Sequence, residues 1–327
     1  MTAVPEGPQR RTLRQLFSDN PAIVLSFVFV AIFVATDIIN RAQNGHAFLT
    51  PKQVSTTFLY AAVLGLIAAG QTLVMLTGGV DLSVATTATA SAFAVSRFGS
   101  HGATTAIAIA LGIGLAIGLV NGSGVAIFRV NALIMTLGVS VITLGLLTVV
   151  AQQEFSALVP HFVATLGSQR FLTYIPYDLL VWAPISALII LGLRYSGIGR
   201  MIYAVGDNPV ASRLAGVRVW QVQLFVYAAC GLLSALAGIL LVGFNNAADL
   251  GIASPFLLPS VAAVVIGGTS IFGGFGGYVG TILGALILTV LDSLLTILNA
   301  SQATRQILYG LIVLALAAIY ARASPRE

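Results

Sequence analysis

Apolar residues run in long blocks along this chain, broken at intervals by short polar stretches. The blocks fall at 21–39, 53–76, 82–97, 103–128, 131–151, 178–194, 221–245, 256–272, 277–298 and 304–321. Most approach the roughly 20 residues that an α-helix needs to cross a hydrocarbon core. The pattern predicts an all-α integral membrane protein of about ten transmembrane helices. It divides the chain into a polar tail at 1–20, a single transmembrane domain over 21–321 and a short tail at 322–327. The first block is followed by the bulky polar stretch Asn40–His46 and not by a small-residue cleavage site, so it reads as a retained span.

Composition supports this division: 58% of residues are hydrophobic and 8% charged, and mean hydropathy is +1.00. A soluble domain carries about a quarter charged residues. The net charge of +5 then becomes a topology signal. With an even number of spans and the N-terminus inside, Arg10, Arg11, Arg14, Arg129, Arg194, Arg200, Arg213, Arg218, Arg322 and Arg326 fall in the cytoplasm, and Arg41, Lys52, Arg97, Arg170 and Arg305 outside. That bias places both termini in the cytoplasm. The arginines do not interleave with aromatics, so no nucleic-acid surface is indicated. Trp182 and Trp220, with Tyr174, Tyr177, Tyr195 and Tyr320, lie near predicted span ends, as an interfacial belt would have them. Cys230, the single cysteine, sits in an apolar run and reads as a small buried hydrophobe.

The long polar interruption at 195–219, between the sixth and seventh spans, carries Arg200, Arg213 and Arg218 against Asp207, with Arg194 at its edge. Asn208 suits an N-cap, Pro209 the first helical position, and Gly216 a C-cap, which predicts a short helix over Val210–Ala215. The string GRMIYAVGDNPVASRLAGV from Gly199 resembles the cytoplasmic coupling loop of ABC importer permeases of the ribose and simple-sugar class, whose pattern is roughly G-R-x-x-Y-A-x-G-G-N-x-x-A-x-x-L-S-G-I. Asp207 stands for the second glycine and Ala215 for the serine. GQTLVMLTGGVDLSV from Gly70 and AAVVIGGTSIFGGFGGYVGTILGALIL from Ala262 resemble the same family, so the likeness spans nearly the whole chain after the tail. On that resemblance Gly199, Arg200, Tyr203, Gly206, Asp207, Asn208, Ala211, Arg213, Leu214 and Gly216 form the ATPase-coupling loop.

Other chemistries find little support. The lone lysine, Lys52, lies in LTPKQ and not in a phosphate-cradling loop, so the chain is not its own ATPase; no GxSxG, HExxH or paired-cysteine motif occurs. Its three histidines are isolated, which argues against a metal site. Within the spans Asp37, Asp81 and Asp292 stand out, because a carboxylate at the bilayer centre costs about 2.5–3.5 kcal/mol. Asp37 reads as interfacial, Asp292 as facing the bundle near Thr289 and Ser293, and Asp81 in TGGVDLS either as part of a helix start or as lining a pathway. Gly112, Gly114, Gly118, Gly122 and Gly124 would allow close helix contact. The dense run Gly267–Gly280 would unwind where protein shields it or where it lines a cavity, making Gly268 and Phe272, with Phe275, gate candidates. The breaks at TGGVDLS and FGGFGG hint at a duplicated unit. The outer segment 152–177 could fold back on the bundle, meet a partner, or form a loop with an amphipathic turn.

A sugar carries hydroxyls and no charge, so its passage calls for neutral hydrogen-bonding side chains. Gln71, Thr72, Gly79, Asp81, Ser83, Asn121, Asn131, Asn245, Asn246, Gly268, Phe272 and Asp292 are the candidates for a path or gate. The resemblance implies a non-enzymatic permease subunit in a bacterial plasma membrane, paired with a second permease copy or paralogue. A cytoplasmic ATPase subunit would bind ATP and magnesium, and an extracytoplasmic binding protein would deliver a monosaccharide; the chain itself would hold no cofactor. The alternatives are a branched-chain amino-acid permease of the same superfamily, or an ion-coupled secondary transporter using Asp81 or Asp292.

Overall fold

The structure, a computed structural model, describes residues 21–152, 158–171 and 175–323. Residues 1–20 and 324–327, which hold the arginines at 10, 11, 14 and 326, and Tyr174 lie outside the described residues. In chain order the helices are α1 (Pro21–Asn44), α2 (Pro51–Leu76), α3 (Val84–Phe98), α4 (Ala103–Ala126), α5 (Ala132–Ala151), α6 (His161–Ser168), α7 (Tyr177–Tyr195), α8 (Gly197–Asp207), α9 (Pro209–Leu214), α10 (Val219–Asn245), α11 (Leu257–Ile266), α12 (Tyr278–Ile297) and α13 (Gln302–Ala323). Seven of them, α1, α2, α4, α5, α7, α10 and α12, are long and apolar enough to cross a membrane. The other blocks predicted as spans correspond to α3, of 15 residues, α11, of 10, and α13.

α2 and α10 are the axis of the bundle. Within the most apolar stretch of α2, 94% of residues are buried, and 72% in α10, whereas other spans bury one side and leave the rest apolar and exposed, as lipid-facing helices do. α2 starts where Thr50 accepts a hydrogen bond from the Gln53 N–H (3.3 Å) with Pro51 in the first turn, and it stops before Gly78, which adopts φ +79°. α10 packs on α2, α3 and α4, α12 on α1, α2 and α11, and α13 on α11.

Small residues set the spacing at the axis. A Cβ on Gly114 would collide with Gly231 and Ala235, one on Gly118 with the Tyr227 carbonyl, and one on Gly122 would press on Leu224, so α4 lies backbone to backbone on α10. In a bilayer this close packing does the work that water-driven burial does in soluble bundles. Gly124 instead makes room for Met135 on α5, and Gly112 faces open space, so the expectation that all five glycines pack holds for four.

Three further expectations are corrected. Trp182 is not an interfacial anchor: it is buried, its Nε1–H donates to the Tyr278 hydroxyl (2.7 Å), and its ring fills the space left by Gly65. The Tyr278 hydroxyl in turn donates to the Gly65 carbonyl (2.9 Å), joining α2, α7 and α12. The eighth block is helical only to Ile266, short of 272, because Gly267–Gly277 leaves the helix with φ positive at Gly268, Gly273, Gly274 and Gly276. The segment 195–219 holds a second helix, α8, in addition to the short one.

At the opposite end of the bundle from α8 and α9, the segment after α5 folds back. Val163 on α6 is fully buried, and Gly167 lets α6 lie directly against the Gly243–Phe244 backbone. A two-residue antiparallel pair, Arg170–Phe171 with Ile175–Pro176, leads into α7. Asp37 reaches the same end: it pairs with Arg41 (2.7 Å) and accepts from the Phe48 and Leu49 N–H groups, tying α1 to the following loop.

Candidate functional site

α8 forms because Ser196 caps it, accepting from the Gly199 N–H (3.0 Å) while donating to the Gly192 carbonyl (2.5 Å). Ile198, Met201, Ile202 and Val205 follow at helical spacing, and Ile202 and Val205 are buried. This signal was present in the sequence but was overshadowed by the polar character of the loop. Asn208 ends α8 and starts α9: its Oδ1 accepts from the Val210 and Ala211 N–H groups (3.0 and 2.9 Å), with Pro209 in the first helical position. At the other end the Gly216 N–H donates to Arg213 and the Val217 N–H to Ser212, with Gly216 at φ +86°. That is a Schellman closure, which only glycine meets without strain.

α8 is fixed to the bundle through its backbone. A Cβ on Gly206 would collide with the Leu76 carbonyl and the Gly274 amide. Gly273 approaches Gly206 and Gly78, the Gly274 N–H donates to the Leu76 carbonyl (3.1 Å), and the Tyr203 hydroxyl donates to the Gly276 carbonyl (2.9 Å). The end of α2, the end of α8 and the glycine loop 267–277 therefore meet at one joint. Phe272 and Phe275 project from that loop and are exposed; Phe275 borders a cavity with Arg194, Arg200 and Tyr203.

α9 faces outward from this joint. Leu214 is 87% exposed and Val210 60%, and their i, i+4 spacing puts them on one face. Ala211 and Arg213 are exposed beside them, the Arg213 Nε–H holding the Pro209 carbonyl (3.1 Å). Val210 was not singled out from the sequence.

Most polar path candidates lie in a buried network. The Gln71 amide donates to the Asp81 carbonyl (2.6 Å) and accepts from the Asp81 N–H (3.2 Å). The Asp81 carboxylate accepts from the Ser83 N–H and hydroxyl (2.8 and 2.7 Å), and the Asn121 amide donates to Ser83 (2.7 Å). Thr72 pairs with Thr281 across α2 and α12 (2.9 Å). All five path candidates in this network are buried. Gly79 lies against the Tyr227 hydroxyl. Asn131 caps α5 by accepting from the Leu133 N–H (3.0 Å), and Asn246 ends α10 at φ 52°. Gly268 turns the chain out of α11. Asp178, also not singled out, is buried in the first turn of α7, and among the described residues neither of its carboxylate oxygens has a hydrogen-bond partner.

Asn245 and Asp292 separate from this group. They share a cavity of about 240 Å³ at the end opposite the joint, bordered also by Tyr60, Phe256, Gln302 and Tyr309. No cluster of metal-ligating side chains occurs among the described residues.

A multi-pass helical membrane protein, with a folded polar segment keyed through glycines to its central helix, is the class that this architecture defines. Residues 53–317 match the family described as branched-chain amino acid transport system / permease component, and the chain belongs to that family. It is 36% identical over 292 residues to the ribose import permease protein RbsC of Escherichia coli K12, covering 87% of this chain and 90% of that one. It is 31% identical over 326 residues to the fructose import permease protein FrcC of Rhizobium meliloti (94% and 87%). To the autoinducer 2 import system permease protein LsrC of Photorhabdus luminescens it is 28% identical over 303 residues (92% and 90%). No solved structure matches the chain.

Proposed function

We propose that this chain is the permease subunit of an ABC importer in a bacterial plasma membrane and carries a monosaccharide. Its relatives named for ribose and fructose import support the sugar over the branched-chain amino acids of the family description. Of the ion-coupled alternative's two carboxylates, Asp81 is tied into its own turn and Asp292 is paired with Arg305.

The observation that carries the reading is α9: a helix capped at both ends, presenting Leu214 and Val210 to water, on a base with no slack. An exposed apolar pair beside a fixed arginine is suited to a partner's groove. In this reading the α8–α9 end is cytoplasmic, all ten predicted spans cross the bilayer, and both termini lie inside as one transmembrane domain. A separate ATPase subunit holds ATP and magnesium and docks on α9, a second permease copy or paralogue completes the pore, and an extracytoplasmic binding protein delivers the sugar. Closure of the ATPases moves α9; α8 transmits the displacement to the end of α2 and to the glycine loop, whose phenylalanines move with it.

Mass spectrometry of the tagged chain, gently solubilised from its native cell, tests this. Co-purification of an ATPase, lost in Leu214→Glu while the variant melts like the parent, is the expected result. Sugar uptake surviving a Gly-Ser replacement of Asp207–Leu214 would overturn it.

A further inference from the structure

The cavity at the end opposite the joint is built from α2, α10, α11, α12 and α13, and its chemistry is specific. Asp292 receives two hydrogen bonds from Arg305 Nη1 (3.1 and 3.2 Å) and one from the Tyr309 hydroxyl (2.9 Å). Arg305 is itself fixed by Nε and Nη2 on the Ala300 carbonyl (both 3.3 Å). The carboxylate is thus aimed and charge-compensated, yet its side chain remains 46% exposed, while Arg305 is 16% exposed. Its free lone pairs can accept hydrogen bonds from a ligand. Across the cavity Tyr60 is held in an aromatic cluster, edge-on to Phe244 (5.5 Å) and stacked with Phe256 (6.2 Å). Asn245 and Gln302 add neutral donors and acceptors at the rim.

The dimensions fit one small ligand. A volume of about 240 Å³ is the share of about eight waters at ~30 Å³ each, below the ~300 Å³ at which drug-sized pockets begin. An apolar ring face opposite a carboxylate, with amides between, matches a molecule that has C–H groups on one face and hydroxyls around its edge. A free amino acid fits less well, because its carboxylate would find no free cation among the described residues there: Arg305 is 16% exposed and already committed to Asp292 and the Ala300 carbonyl. We propose that this cavity is a monosaccharide site on the outer half of the translocation path. Asp292 accepts from the sugar hydroxyls, Arg305 and Tyr309 position Asp292, and Tyr60 is the stacking surface. The proposal rests on the sugar-permease reading and adds to it a place and a set of contacts.

Cysteine protection tests it in the full transporter in its native cell. Cys230, the single natural cysteine, is buried, so Asn245→Cys provides a site for a membrane-impermeant maleimide without touching the Asp292–Arg305 pair. Ribose, fructose, glucose and leucine serve as probes. The expected result is that whichever sugar the cells take up slows labelling from outside several-fold, while leucine does not. Asp292→Asn should raise the KM for that sugar about tenfold or more, the scale set by losing hydrogen bonds to a charged group, with the ATPase still co-purifying. Uptake of a sugar that leaves Asn245→Cys labelling unchanged would overturn the site while leaving the permease reading intact, as would protection by leucine alone. Cells that take up none of the three sugars would overturn the sugar reading and the site with it.

Discussion

Single side chains in this protein divide between those that shape the chain locally and those that join distant helices. Asn208 belongs to the first kind: one oxygen holds two amide groups at the start of α9. Asn208→Ala should cost about 1 kcal/mol of local helix stability, and Asn208→Asp should retain most of it. Limited proteolysis within 208–216 on solubilised protein would show the difference as faster cleavage in the alanine variant alone. Trp182 belongs to the second kind. Trp182→Phe removes its hydrogen bond to Tyr278, worth about 1 kcal/mol, and should lower the thermal midpoint, whereas Trp220→Phe, at an exposed position, should not. Equal behaviour of the two variants would return Trp182 to the interface.

At the scale of elements, the α4–α10 contact is the least tolerant. Gly118→Leu would force the Leu side chain into the Tyr227 backbone; overpacking of this kind costs typically 1–3 kcal/mol, occasionally more. A reduced yield of monodisperse protein in detergent is expected for Gly118→Leu and not for Gly112→Leu, which meets open space. The same contrast shows what the sequence could reveal. Capping is local, so Asn208, Pro209 and Gly216 announced α9. Which glycine meets another helix is decided by the rotation of α4 against α10, and Gly112 could not be separated from Gly114 without that angle. Trp182 was misread for the same reason, since nearness to a helix end says nothing of which way the ring points. The unwinding of the glycine run from Gly267 was legible, but the apolar block before it was carried six residues too far, because Ile271 and Phe272 continue its apolar character past Ile266. Asn131 and Asn246, path candidates by composition, each sit at a helix end, a local role that composition did not separate from the other. Tyr60, Arg305 and Tyr309 were invisible as a group, since Arg305 and Tyr309 reach Asp292 from α13 while Tyr60 borders the same cavity from α2.

The whole molecule has an orientation that can be tested with its own chemistry. Lys52 is the only lysine, is exposed at the start of α2, and lies at the end opposite α9. In the proposed topology a membrane-impermeant amine reagent applied to intact cells modifies Lys52 and nothing else on the chain. Modification that requires broken cells would invert the assignment and place α9 outside, where no cytoplasmic partner could reach it. The two ends are also chemically distinct: one offers a rigid projecting helix, the other a small open cavity lined with aromatics and a compensated carboxylate.

The glycine joint beneath α8 has a consequence for how such a transporter can change its company. In the proposed mechanism motion passes from Gly206 to Leu76 and Gly274 largely through main-chain atoms, which are alike in every residue, so little of the transmission depends on side-chain identity. In that mechanism recognition falls to Val210, Arg213 and Leu214 on the projecting face. A chain built this way can adopt a different motor by altering a few surface positions while the machinery that answers the motor stays as it is.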